Sequence, residues 1–280
     1  MRSTFFLAPL AVALALAAPV SAHADQLQEI LGRGKLICGV QNNTPPFSFP
    51  DPATRAQVGH DVDLCNKLGE ALKVGVELKP LSTEARVPSI TMGHVDVAIA
   101  NLAYTKARGE QIQFSDPYYI AKEMLVVHAA DAGKSKADFV GKRIASSKGS
   151  TGEVAIRLTG STPVTYQDIS GAYLALVQNN TTAFVTNGMT ARKLILKAKE
   201  TGESLALIKE PIALEPIGIG MKKNEPALLA KVNSLLQDWE RAGVLDALWT
   251  KWISSSADYD HMPREDKVVP LTSIKFEPLP

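Results

Sequence analysis

Short apolar runs rich in β-branched residues alternate with helical patterns along most of this chain, and that alternation restricts it to an α/β architecture with largely parallel strands. Residues 36–40 read as a first strand, and 61–72 follow with Val62, Cys65, Leu68, Ala71 and Leu72 on one helical face. Residues 77–81 make a second strand, 87–92 a short helix, 95–100 a third strand and 124–128 a fourth. Polar DAGKSKADF then interrupts the series, and GKRIASS starts another. Its further strands fall at 162–166, 183–186 and 205–208, with helices near 152–158, 171–178 and 190–199. An apolar run at 217–221 returns the chain toward its first series, and 225–253 read as helices. The expected plan is one lobe interrupted by another. Its segments are 25–127 (first lobe), 128–216 (second lobe) and 217–253 (first lobe again), followed by a polar, Pro-containing tail, 254–280, laid over the surface.

The segment ahead of this plan, 1–24, has one cation, Arg2, then an apolar run ending in Ser21-Ala22-His23-Ala24. This is the layout of a secretory signal peptide cleaved near Ala24, with a run shorter than the ~20 residues of a membrane helix. No cysteine adjoins it to carry a lipid, so an exported binder would be retained by a second envelope, in a periplasm. Loss of Arg2 reduces the 30 basic residues to 29, equal to the 29 acidic ones. That balance speaks against nucleic acid or an anionic membrane as partner. Cys38 and Cys65 either pair in an oxidising compartment or lie as buried thiols, each at an apolar position. His60, His94, His128 and His261 have no metal-ligand spacing, and no cofactor motif is present. Trp239, Trp249 and Trp252 are read as packing residues.

Seven motifs then converge. PPFSF (45–49), GHDVDL (59–64), ARVPSI (85–90), GHVDVAIA (93–100), YTKARGEQIQFSDPYY (104–119), GKRIASSKGSTGE (141–153) and AFVTN (183–187) occur in the order found in the polar-amino-acid-binding proteins of ATP-driven importers. The chain thus resembles family 3 periplasmic solute-binding proteins. The resemblance implies a two-lobe periplasmic-binding-protein fold (type II), with two crossover strands near 124–129 and 216–222 and a ligand cleft between the lobes. It further implies a monomer without catalysis or metal. Such a protein captures a small carboxylated solute, an amino acid or a derivative, and delivers it to an inner-membrane permease of an ABC importer.

The same resemblance nominates the site. Arg108 matches the arginine that forks onto the ligand's α-carboxylate, and a planar guanidinium suits that task physically. Phe114 and Pro117 would anchor its loop. Ser150 and Thr151, between a strand and a helix of the second lobe, would grip the same carboxylate with helix N-terminal amides. Phe47 resembles the aromatic that packs on the ligand side chain, or else plugs the core. Arg86 either reads a second ligand anion or braces its lobe. Thr83 stands where some binders of basic amino acids place a second aromatic, which disfavours lysine or arginine as ligand.

Three positions depart from the pattern. Asn187 replaces the aspartate that pairs with the ligand ammonium, Asn43 and its neighbour Asn42 replace an acid ahead of PPF, and Ala103 replaces a hydroxyl threonine. With Asn101, these complete the candidate ligand residues, and Glu84 is the acid available to restore the missing charge. A cleft that keeps cations and loses anions would select a carboxylate with little demand for ammonium recognition, since desolvating an unpaired ammonium is costly. Two other functions share this scaffold. One is an exported enzyme resembling cyclohexadienyl dehydratase, with Glu84 or Glu153 as proton donor. The other is a ligand sensor for a membrane receptor.

Overall fold

The computed structural model describes residues 25–280; the expected signal peptide lies outside the described residues. In chain order the elements are α1 (Gln26–Arg33), β1 (Lys35–Gln41), β2 (Phe49–Pro50), β3 (Gln57–Val58), α2 (His60–Leu72), β4 (Gly75–Leu81), α3 (Arg86–Thr91), β5 (Val97–Ala98), α4 (Lys106–Gln111), β6 (Gln113–Phe114) and β7 (Tyr119–His128). Then come β8 (Arg143–Ser147), α5 (Thr151–Leu158), β9 (Thr162–Tyr166), α6 (Ile169–Val177), β10 (Ala183–Asn187), α7 (Gly188–Glu200), β11 (Leu205–Leu207), β12 (Ala213–Ile217), β13 (Gly220–Met221), α8 (Pro226–Arg241) and α9 (Val244–Trp249).

The strands form two main sheets. The first has the order β4-β1-β5-β13-β6, parallel from β4 to β5 and antiparallel where β13 returns. The second runs β11-β7-β10-β8-β9, and β12 pairs with β7 on the same edge as β11. Apolar residues that alternate along β1 and β10 point into helices packed on both faces, as strands buried on both sides require. Two α/β lobes follow, joined by a pair of antiparallel crossovers, β7 carrying the chain into the second sheet and β12 leading back toward the first.

The crossovers differ from expectation in extent. β7 starts at Tyr119 and lies in the second sheet throughout, so the expected boundary at 127 falls inside it. β12 precedes the apolar run at 217–221 that marks the return, because Glu215 and Pro216 mask its strand character. Arg108 lies on helix α4, not on a loop, and the Thr105 hydroxyl caps that helix by accepting from the Arg108 amide at 3.1 Å. The two cysteines are joined, with Cα atoms 6.2 Å apart, and staple β1 to α2 inside the first core. Trp249 and Trp252 pack as read, with indole N–H groups donating to Met262 O and Asp63 Oδ2 at 2.9 and 2.7 Å.

The tail is fastened to its surface. Arg264, whose side chain is 4% exposed, donates to Glu240 Oε2 at 2.6 Å, Asp246 Oδ1 at 2.9 Å and Tyr118 O at 3.1 Å. Asp266 accepts from the Ile120 amide at 2.8 Å, where β7 begins. Burial alone would push the Glu240 carboxyl up, but hydrogen bonds from Arg264 and Lys267 outweigh it and hold that carboxyl down to about 2. The depressed value fixes the sign of the linkage. Stability from this cluster is present above the ordinary value of 4.5 and is lost as pH falls toward 2. Arg264→Gln should lower the neutral-pH melting temperature by about 4–8 °C, the equivalent of roughly 2 kcal/mol, and flatten the acid limb of a melting-temperature profile. An acid limb that matches the unsubstituted protein would remove Glu240 from that role.

Candidate functional site

The lobes meet over the two crossovers and enclose a cavity of about 50 Å³, room for about three to five water-sized groups at the ~10–15 Å³ each needs. The first lobe contributes Asn42, Asn43 and Thr44 after β1, with Thr83, Arg86 and Asn101. The second contributes Ser150 and Thr151 at the start of α5, Asp168 and Ile169 at the start of α6, and Asn187 at the end of β10. Ser150 caps α5 by accepting from the Glu153 amide at 3.3 Å. Gly149 has φ +71°, and a Cβ there would meet Glu84 Cα at 2.9 Å, so glycine permits the lobes to approach this closely.

Six of the ten nominated residues thus line one cavity: Asn43, Arg86, Asn101, Ser150, Thr151 and Asn187. Arg108 stands beside it and spans the lobes, donating from Nη1 to Ala103 O at 2.9 Å and from Nη2 to Gly149 O at 3.1 Å. Two of its five N–H donors are used in this way. Burial lowers its pKa, offset by the carboxylates of Glu215 and Glu123. Ala103 serves through its carbonyl. Arg86 is buried and braces its lobe, donating to Thr83 O at 2.9 Å, Ala100 O at 3.1 Å and Asn101 O at 2.9 Å. Burial, then repulsion from Arg108, pushes it down to about 9.

Two nominations lie elsewhere. Phe47 is 0% exposed and stacks on Tyr119 with centroids 5.5 Å apart, which is core packing; the cavity wall does not include it. Glu84 sits at the rim, where Lys148 Nζ is 2.9 Å away and Gln167 Nε2 donates at 3.2 Å; these bonds lower its pKa and join the lobes. It does not restore an acid to the cavity. Asn187 caps α7 through Met189 N at 2.9 Å and donates to Tyr119 Oη at 2.6 Å. Tyr119 in turn donates to Asn101 Oδ1 at 2.6 Å, a relay that ties both lobes to the crossover.

The expected loss of cleft anions is corrected by two residues that sequence reasoning missed. Glu123 on β7 and Glu215 on β12 line the cavity at 6% and 3% exposure. Burial, then the neighbouring Glu215, raises the Glu123 carboxyl well above its ordinary value; Arg86 and Arg108 only partly offset this. Burial likewise raises Glu215, against the Thr151 hydroxyl and both arginines. Glu215 Oε1 has no hydrogen-bond partner. A signal existed in the strand period: Ala121, Glu123, Leu125 and Val127 share one face of β7, so a charge stands in an inward, apolar row.

The family model for bacterial extracellular solute-binding proteins, family 3, matches residues 36–255. The L-cystine-binding protein TcyJ of Escherichia coli (strain K12) is 28% identical over 252 residues, 88% of this chain and 93% of the relative. An ancestral arginine-binding protein solved with arginine superposes at TM-score 0.72 with 31% identity, over 79% of this chain and 98% of that one. The ancestral amino acid-binding protein AncCDT-1, described as a precursor of cyclohexadienyl dehydratase, superposes at TM-score 0.71 with 28% identity, over 81% and 98%.

Proposed function

The chain belongs to the family 3 bacterial extracellular solute-binding proteins, and from that premise we propose that it is the substrate-binding component of an ABC importer, capturing an amino acid by closure of its lobes. The observation that carries this reading is a cavity walled from both lobes, with Arg108 bonded across from Ala103 O to Gly149 O. Closure by hinge motion is an established device for such a scaffold. On opening, the Nη2 bond to Gly149 is released and the guanidinium fork meets the incoming carboxylate, which Thr151 and the α5 amides then cover. The protein acts as a monomer in the periplasm after cleavage near Ala24, and hands its solute to an inner-membrane permease.

Glu84 and Glu153, the donors a dehydratase reading would use, are paired with Lys148 and Arg157 at 2.9 Å each. The test is a thermal-shift screen of purified, refolded protein against L-amino acids and other small carboxylates, with prephenate and arogenate followed by absorbance. A selective rise in melting temperature with an amino acid is expected, since a ligand that binds the native state stabilises it by mass action. Turnover of either cyclohexadienyl substrate would replace this reading with the enzymatic one.

A further inference from the structure

Glu123 and Glu215 come from strands some ninety positions apart, brought to diagonal positions by the β7–β12 register, which pairs Glu123 with Ala213 and Ala121 with Glu215. Both carboxyl groups are more than nine-tenths buried and face the cavity. The hydrogen bonds of both nearby arginines go to backbone carbonyls, of Thr83, Ala100 and Asn101 for Arg86 and of Ala103 and Gly149 for Arg108. Glu215 Oε1 is left without any partner. A buried carboxylate oxygen without a partner is costly, and an arrangement that keeps one at a cavity wall is completed by a donor from outside. Asn187, the position that would hold an acid in the family pattern, is spent on Met189 N and Tyr119 Oη and brings no charge.

We propose that Glu123 and Glu215 together form the cation subsite of the cleft, so that the captured solute carries a protonated nitrogen which lodges between them. This deepens the amino-acid reading and rests on it. The solute is then a zwitterion or a cation, and a deaminated or keto acid without another cationic group is excluded. The groups that share the cavity with the pair are the Arg86 guanidinium and the Asn101 amide from the first lobe, and the Thr151 hydroxyl and Asp168 carboxyl from the second; Arg108 flanks it. Burial raises both carboxyls, so any proton the empty pair retains leaves to water as the incoming cation takes its place.

Titration calorimetry of refolded protein settles the matter in two arms. In the first, the best-binding free L-amino acid of a panel that includes arginine, glutamine and cystine is compared with its 2-oxo and Nα-acetyl counterparts. A 2-oxo acid without a cationic side chain should bind at least about tenfold more weakly, the effect of losing one charge-assisted bond. Retained binding of an Nα-acetyl derivative with a cationic side chain would assign the subsite to that side chain; its loss assigns the α-ammonium. In the second arm, Glu123→Gln and Glu215→Gln should each weaken the free amino acid by roughly 10- to 100-fold. The empty variants should melt no lower than the unsubstituted protein, because an amide removes a costly buried acid. Glu210→Gln, an exposed control, should bind unchanged. Glutamine variants that bind normally, or a 2-oxo acid without a cationic side chain that binds as tightly as its amino acid, overturn the inference alone. A panel in which nothing binds overturns the amino-acid reading as well.

Discussion

Arg108→Ala is expected to erase ligand-induced thermal stabilisation while leaving the empty protein folded. Two charge-assisted bonds to a carboxylate are worth about 3–6 kcal/mol together, so their loss weakens binding roughly 100-fold or more. At a ligand concentration near 100 times the original dissociation constant, stabilisation falls from about 2.7 to about 0.4 kcal/mol. That takes a melting shift of about 5–10 °C down to about 1–2 °C. The bond from Nη2 to Gly149 O disappears too, which removes a direct link that favours closure. The empty fold should tolerate the change. Arg108 sits on a six-residue helix that keeps its Thr105 cap, alanine favours helix, and repulsion on Arg86 is relieved. Arg108→Lys separates charge from geometry, because an ammonium retains the charge but lacks the planar fork. Its binding should lie between the two. A thermal shift unchanged in the alanine variant would remove Arg108 from ligand recognition.

The architecture was legible where hydrophobic period and length agree. β1, β4, β8, β9 and β10 are dense apolar or β-branched runs, and α2 has its apolar residues on one face. The elements that escaped are short or mixed. α4 is built from KARGEQ, which has no buried residue and so no apolar stripe, although it carries Arg108. β2 and β3 are two residues each and pair only with one another. The crossovers were legible in their apolar halves. Their polar halves contain Glu123 and Glu215, which line the cavity and whose charge lowers strand character.

The site shows the same division. Residues carried by a local motif, such as Ser150 and Thr151 at a helix start, are where the sequence puts them. For Phe47 the sequence left two places open, because an aromatic beside a cleft and an aromatic beneath it have the same neighbours in sequence; its stacking on Tyr119 is a tertiary fact. The carboxylate pair depends on antiparallel register between distant strands, which no local pattern encodes. An account of cleft charge taken from motif positions alone therefore left two cavity-lining acids out. The acids were present, on strands not read as part of the site.

Removal of the Cys38–Cys65 bridge should produce the largest loss of stability. The bridge closes a loop with a sequence separation of 27, and the chain-entropy relation gives about 3.5 kcal/mol for a loop of that size. The double variant Cys38→Ala, Cys65→Ala should melt about 7–14 °C below the oxidised protein, at ~2–4 °C per kcal/mol for a chain of this length. Packing adds to the loss, since both residues are fully buried in the first core beside Leu36, Val62 and Leu68. Reduction of the unsubstituted protein isolates the entropic part, because the side chains remain. The bridge also bears on the cleft. β1 leads directly to Asn42 and Asn43, and Asp61, in the first turn of α2, accepts from the Asn101 amide at 2.6 Å and from Tyr118 Oη at 3.1 Å. Stapling β1 to α2 therefore fixes two sides of the first lobe's cavity wall against each other. Saturating ligand should recover part of the lost melting temperature in the double variant, because it binds the native state alone. A fall of less than about 2 °C on reduction would mean that the unfolded chain gains little freedom, and that packing around the two sulfur atoms, not loop closure, holds β1 to α2.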